Sequence, residues 1–378
     1  MRATLADASL ARFAGRFVWL ELNFDKPVNQ EFLARHGVAY TPTLFVLDPA
    51  DERATATQLG GMTLPELSQF LERGESLASA GKTEVPADAS NRHGDEMLAL
   101  GKFTEAATAY REALRLGGQT WPRRDHAIGS LTWALMMSGQ SQACAEMAAA
   151  EAPQIARGEL FSRAVLSGVT CVNQGESAPW AEAALKILEP LAAEAIALPA
   201  TLRDHRFQLY QQLMYNAELR GDKATVARWG GRWLDELDAT KPVNDDERSA
   251  LDVARVDAAS LLGDPSRVLP ALIASERAMP NNYNASLRLA QMAAEAKQYD
   301  RAIAACDRGL MHVSGPMGRT WLLQTKAGAL TGKGQRAEAR RALEAALQSA
   351  RQIGVTKSRE RNIGIISKAL KELENAPK

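Results

Sequence analysis

The 378-residue chain has three cysteines, Cys144, Cys171 and Cys306, and none in its first 143 positions. They are too few and too scattered for a zinc ligand set or a disulfide framework. The five histidines, at 36, 93, 126, 205 and 312, show no i, i+4 pair and no HExxH, so neither a metal nor another cofactor is expected. No run approaches the roughly eighteen consecutive apolar residues of a membrane helix, so no span is expected. An excess of one charge is also missing: Lys plus Arg and Asp plus Glu both total 45. That balance excludes a globally basic nucleic-acid surface, and no nucleic-acid partner is expected. The local basic run "ARQIGVTKSRERN" (350–362) reads as a solvated helix and loop. The opening "MRATLADASLARFAGRF" carries Asp7 and lacks the apolar middle of a signal peptide, so the chain as written reads as cytoplasmic.

What is present divides near residue 80. Before it, the apolar spacing switches between helix and strand. "TLADASLARFA" (4–14) has Leu5, Leu10 and Phe13 on roughly one helical face. "RFVWLELNFD" (16–25) is apolar enough for a strand covered on both faces. "PVNQEFLARHG" (27–37) predicts a short helix, with Pro27 at its first position and Gly37 as its stop. "TLFVLDP" (43–49) and "RATATQLGG" (53–61) predict an antiparallel hairpin. "TLPELSQFLERG" (63–74) follows as a helix with a Thr63–Glu66 capping box. Residues 75–90, rich in Ala, Ser and Gly, read as a linker.

From about residue 91 strand signals vanish and an internal repeat emerges. "GKFTEAATAYREAL" (101–114), "AKQYDRAIAACDRGL" (296–310) and "GKGQRAEARRALEAAL" (332–347) each place a small, a large and a small residue at matching helical positions. The sets are Ala106, Tyr110, Ala113; Ala302, Cys306, Gly309; and Ala339, Leu343, Ala346. Weaker copies stand at 138–150 and 220–234. Small residues let antiparallel helices approach, and the large one fills the space beside them. A single hairpin cannot bury its apolar face, so such hairpins must stack. The pattern resembles the tetratricopeptide repeat, with Gly94 where that family's first helix usually has a small residue. The likeness is good at 91–118 and 283–347 and blurred between 150 and 275. It implies a protein or peptide partner held by the repeats.

Residues 1–74 resemble the C-terminal two-thirds of a thioredoxin fold. The likeness rests on "FVWLELNFDKPVNQEFLARHGV", with Asn23 to Asp25 at its strand end, on "VAYTPTLFVLDP", and on "LGG" (59–61). It implies a cis peptide bond at Thr41–Pro42, with both residues contacting a bound polypeptide. In that family the proline faces a Cys-x-x-Cys pair whose thiolate starts thiol–disulfide exchange. No such pair exists in this sequence, so no catalytic residue and no dithiol activity are expected of it as written. Two readings follow. The first domain is a degenerate binding module on an interaction scaffold. Alternatively, Met1 is an internal methionine of an oxidoreductase-family protein whose central strand, Cys-x-x-Cys and any export signal lie upstream, which would allow a periplasmic or envelope location. The fold class expected is mainly α: an incomplete thioredoxin-like α/β domain at 1–74, a linker at 75–90, and an α-solenoid of tetratricopeptide-like hairpins at 91–378.

Trp121, Trp133, Trp180, Trp229, Trp233 and Trp321 read as packing between hairpins. Asp245, Asp246 and Glu247 read as an acidic turn starting a helix, and Cys306 as an inert core thiol. Cys144 and Cys171 fall on surfaces that stacked hairpins press together. They bridge if their Cα atoms come within about 7 Å in an oxidising compartment, or else they are small core residues that never meet.

Overall fold

A computed structural model describes residues 2–5, 7–23, 26–36, 38, 41–79, 85–175 and 178–375. Contacts gather the chain into two units, residues 1–220 and 221–378. The first unit begins with α1 (Arg2–Leu5), a 3-10 turn at Ala8–Phe13, and α2 (Gln30–His36). The continuous helix expected over 4–14 is therefore interrupted. Asp7 accepts the backbone N–H of Ser9 at 2.9 Å and starts a second, tighter helix there. Pro27 opens a 3-10 turn leading into α2, while Gly37 and Asp25 lie outside the described residues.

The expected hairpin forms. β1 (Thr43–Leu47) pairs antiparallel with β2 (Ala54–Leu59), Phe45 opposite Thr57, with an irregularity between Val46 and Leu47. The Thr41–Pro42 bond at its start is cis, as the resemblance implies. In α3 (Leu64–Ser79), Glu66 accepts from the N–H of Thr63 at 2.8 Å and from its hydroxyl at 3.0 Å, one half of the expected capping box. Leu67, Phe70 and Leu71 of α3 join Leu10, Phe13, Val46, Ala56 and Met62 in one core.

The strand expected at 16–25 does not form. Phe17–Asn23 belongs to no sheet, and the described sheet has two strands. Val18 is 89% and Leu20 75% exposed. Apolar side chains favour a strand, but its backbone groups need a neighbouring strand to bond, and no third strand stands among the described residues. The expected linker is helical at both ends: α3 runs to Ser79 and α4 starts at Pro86, with 80–84 outside the described residues.

Four first helices and three second helices complete the first unit. They are α4 (Pro86–Ala99), α5 (Phe103–Gly117), α6 (Arg124–Met137), α7 (Ser141–Glu151), α8 (Glu159–Gln174), α9 (Pro179–Ala197) and α10 (Arg203–Leu219). α4 packs on α5, α6 on α7 and α8 on α9, while α6, α8 and α10 lie side by side. The small–large–small set explains the approach. Tyr110 is fully buried between Ala106 and Ala113, and a Cβ added at Gly94 would stand 2.6 Å from its ring. Gly94 is thus the socket for Tyr110, and any larger side chain would drive α4 and α5 apart.

The second unit contains α11 (Lys223–Ala239), α12 (Asp245–Leu262), α13 (Leu269–Ala278), α14 (Tyr283–Glu295), α15 (Tyr299–His312), α16 (Pro316–Gly332), α17 (Arg336–Arg351) and α18 (Thr356–Asn375). Its repeat sets are buried as expected. The acidic turn opens α12, where Asn244 caps the helix by accepting from the N–H of Glu247 at 2.8 Å. Cys306 is buried, and burial pushes its thiol up to about 12. Trp121, Trp229 and Trp233 are buried, whereas Trp321, expected to pack, is 40% exposed.

Candidate functional site

Within the first unit a cavity of about 330 Å³ opens between the first helices of successive hairpins and the β1–β2 hairpin. Each helix contributes side chains spaced three or four apart, which keeps them on one face. α6 supplies His126, Ser130 and Trp133; α8 supplies Arg163, Ser167 and Thr170; α10 supplies His205, Gln208 and Gln212. Asp95 and Leu98 come from α4, and Thr57 to Gly61 from the hairpin. Of the two residues expected to contact a polypeptide, Thr41 lines this cavity. Pro42 stands next to it, exposed, its carbonyl accepting from the N–H of Gly60 at 2.9 Å. The second unit has its own shallower recess at Asp245 and Ala278–Tyr283.

The deep end of the cavity is charged. Asp95 is 5% exposed and accepts from the Tyr110 hydroxyl at 2.8 Å, from Asn91 at 3.0 Å and from Arg123 at 3.5 Å. Burial raises its carboxyl pKa despite the opposing pull of Arg123 and Arg73. Burial, then Asp95, raises the Tyr110 phenol well above its ordinary value. Arg73, on α3, is brought down to about 10 by burial and by the repulsion of Arg123. His126 is pushed well below its ordinary value by burial and then by Arg123, Arg73 and Arg163, so it is neutral at neutral pH. Its Nδ1 has no hydrogen-bond partner among the described residues.

The opposite wall is organised by one buried carboxylate. Glu159, at the start of α8, accepts from the Leu202 N–H at 2.8 Å and meets His205 Nδ1. That contact orients the imidazole. Arg163, one turn after Glu159, reaches instead to the Gly61 carbonyl at 3.3 Å. It thereby ties a repeat helix to the hairpin loop.

Of the two readings of Cys144 and Cys171, the bridged one holds. Cys144 on α7 and Cys171 on α8 are disulfide-bonded with Cα atoms 6.1 Å apart. A Cβ added at Gly168 would stand 2.5 Å from that of Ala148, so the two helices are nearly in backbone contact at the bridge. The disulfide thus ties α8 to α7 on the flank of its cavity-lining residues.

The arrangement suits binding: hydroxyls, amides, two imidazoles and a guanidinium converge on an enclosed space with one indole beside them. Inspection of single residues passes over His126, Arg163 and His205. A readable signal exists, because they recur 37 and 42 residues apart, close to one hairpin each, on successive first helices.

A tetratricopeptide repeat family model matches residues 253–316. Among solved structures, a tetratricopeptide repeat protein from Parabacteroides merdae ATCC 43184 is 12% identical, with 77% of this chain and 99% of that one covered at a TM-score of 0.41. The TPR2AB-domain:pHSP90 complex of yeast Sti1 is 14% identical, with 76% and 98% covered at a TM-score of 0.30. No curated protein matches the sequence. Residues 253–316 therefore carry tetratricopeptide repeat sequence, and the described chain is mainly α, as its helical hairpins imply.

Proposed function

We propose that the chain is a protein-interaction scaffold whose first unit holds an extended segment of a partner in the cleft between the repeat helices and the β1–β2 hairpin. The single observation that carries this reading is the cavity itself. Four successive first helices and Thr41 face one space, and hydroxyl and amide side chains there can bond a peptide backbone. The tetratricopeptide match supports the class of partner, since stacked hairpins present such faces repeatedly. A photo-crosslinking residue placed at Trp133, inside the cleft, should capture a discrete partner in cells. The same residue at Glu146, exposed on the second helix α7, should not. Equal capture at both positions would sink the reading.

The finer assignment of residues 1–74 as a thioredoxin-like domain is a second reading, with Thr41 and Pro42 as its polypeptide contacts. The order of hairpin and covering helix supports it, as does the position of Thr41 beside the repeat face. This sequence supplies no dithiol for exchange: Cys144 and Cys171 are joined to each other and Cys306 is buried. A Cys-x-x-Cys encoded in frame upstream of Met1 would favour the oxidoreductase family, and a stop codon there the scaffold alone. The Cys144–Cys171 bridge supports an oxidising compartment, such as the periplasm or envelope, as the place of either activity.

A further inference from the structure

Helix α8 is held more tightly on one side than on the other. On its α7 side a Cβ added at Gly168 would stand 2.5 Å from that of Ala148, and Leu188 of α9 closes in at 2.9 Å. The Cys144–Cys171 bridge spans the same interface about one turn away. Leu166 and Thr170 each lie two residues from Gly168, about 200° round the helix, so they occupy its far side. There they line the cavity of about 330 Å³. The Ser167 carbonyl stands 3.5 Å from Cys144 Sγ. A bridged sulfur has no proton to give it, whereas a free Cys144 thiol would donate to that oxygen.

Two thiols need more room than the bridge they replace, because bonded atoms stand well inside contact distance. That room is missing beside Gly168 and Ala148, and overpacking so close a helix contact shifts the backbone. Moving α7 outward would part it from α6 and α9 as well, both of which pack on it. Moving α8 away from α7 carries Leu166 and Thr170 into the cavity instead. We propose that the Cys144–Cys171 bridge is a redox control on the cleft. Oxidised, it holds α8 back and the cleft open; reduced, α8 advances and the cleft narrows. Reduction takes two electrons and two protons from a dithiol. The dithiol leaves as a disulfide, and the Sγ–Sγ bond becomes two thiols. Both cysteines are fully buried, so exchange proceeds while α7 and α8 are transiently parted. The effect on a partner rests on reading the cleft as a partner site; the movement of α8 does not.

The test uses the full chain labelled with fluorotryptophan and followed by fluorine NMR, with dithiothreitol as the dithiol. Trp133 on α6 lines the cavity together with Leu166 and Thr170, and Trp321 on α16 of the second unit is the remote reference. Trp133→Phe and Trp321→Phe assign the two signals. Complete reduction under native conditions, counted as three thiols after denaturation, should shift the Trp133 signal and leave that of Trp321 in place. Reoxidation should restore it. Cys144→Ala/Cys171→Ala lacks both the bridge and the thiols, so its Trp133 signal should stay at the oxidised position with or without dithiothreitol. If that variant does not fold, Cys171→Ala, which leaves one thiol with room, carries the comparison. A bridge that stays closed in excess dithiothreitol would overturn the switch. So would a Trp133 signal unmoved by complete reduction, a shift of both signals together, or an alanine variant that matches the reduced form. None of these outcomes touches the scaffold reading, which stands or falls on capture at Trp133 against Glu146.

Discussion

The two units use the same repeat grammar with different contents. In the first, the large slot of the small–large–small set holds Tyr110, whose hydroxyl anchors the buried carboxylate of Asp95. In the second, the equivalent slot holds Cys306, a buried free thiol. The first unit also has a disulfide across two hairpins and the half-buried Arg163 lining a cavity, whereas the second unit buries a paired charge, Arg255 on Asp252 at 3.0 Å, and its set at 339–346 packs against aliphatic neighbours. A repeat supplies the packing, so departures from plain packing mark where other demands are met. Buried charge destabilises unless it is paired, and the bridge and the Tyr110 socket are compensating constraints around a polar centre.

The difference between the slots should be largest on truncation. Tyr110→Ala removes a fully buried ring and orphans Asp95, so it should cost about 4 kcal/mol or more. Cys306→Ala removes a single sulfur atom from an equivalent slot and should cost about 1 kcal/mol. Urea unfolding of both variants measures the gap, and equal losses would mean that the two slots are alike after all.

Next in size is the bridge. Cys144 and Cys171 are 27 residues apart, and the chain-entropy relation for a loop of that length gives about 3.5 kcal/mol. The double variant Cys144→Ser/Cys171→Ser should lose about that much. Denatured without reductant, the wild type should titrate as one thiol, Cys306, and with reductant as three. In the native state Cys306, with its thiol pushed up to about 12, should resist thiol reagents at pH 8.

A smaller effect sharpens the comparison through pH. His126 has a folded pKa below its unfolded value, so the unfolded chain binds its proton first as pH falls. Stability from keeping it neutral is fully present above about pH 6.5 and declines below it, by up to about 1.4 kcal/mol per pH unit for one proton. His126→Gln should flatten the melting temperature between pH 7 and 5.5. The smallest effect is expected at the cap of α12, where Asn244→Ala should cost about 1 kcal/mol, readable as a modest shift in the urea midpoint.

Much of this was legible in the sequence because a helix satisfies its backbone within itself. The sets at 106–113, 302–309 and 339–346 announced both helix and packing face, and the resemblance marked Gly94 as a small-residue position, though only the structure showed it to be the socket for Tyr110. The Thr63–Glu66 cap, the 43–61 hairpin and the placing of Cys144 opposite Cys171 followed from local spacing and the stacking rule. What the sequence did not decide by itself depended on partners distant in the chain. "FVWLELN" has a strand's composition, yet a strand exists only where another backbone takes up its hydrogen bonds, and among the described residues none does. Trp321 has a packing residue's chemistry, but its helix face turns it toward solvent. The polar cleft was decided only in three dimensions: Arg163 stands one turn from Glu159, yet that carboxylate meets His205, more than forty residues on, and Arg163 reaches the Gly61 carbonyl instead.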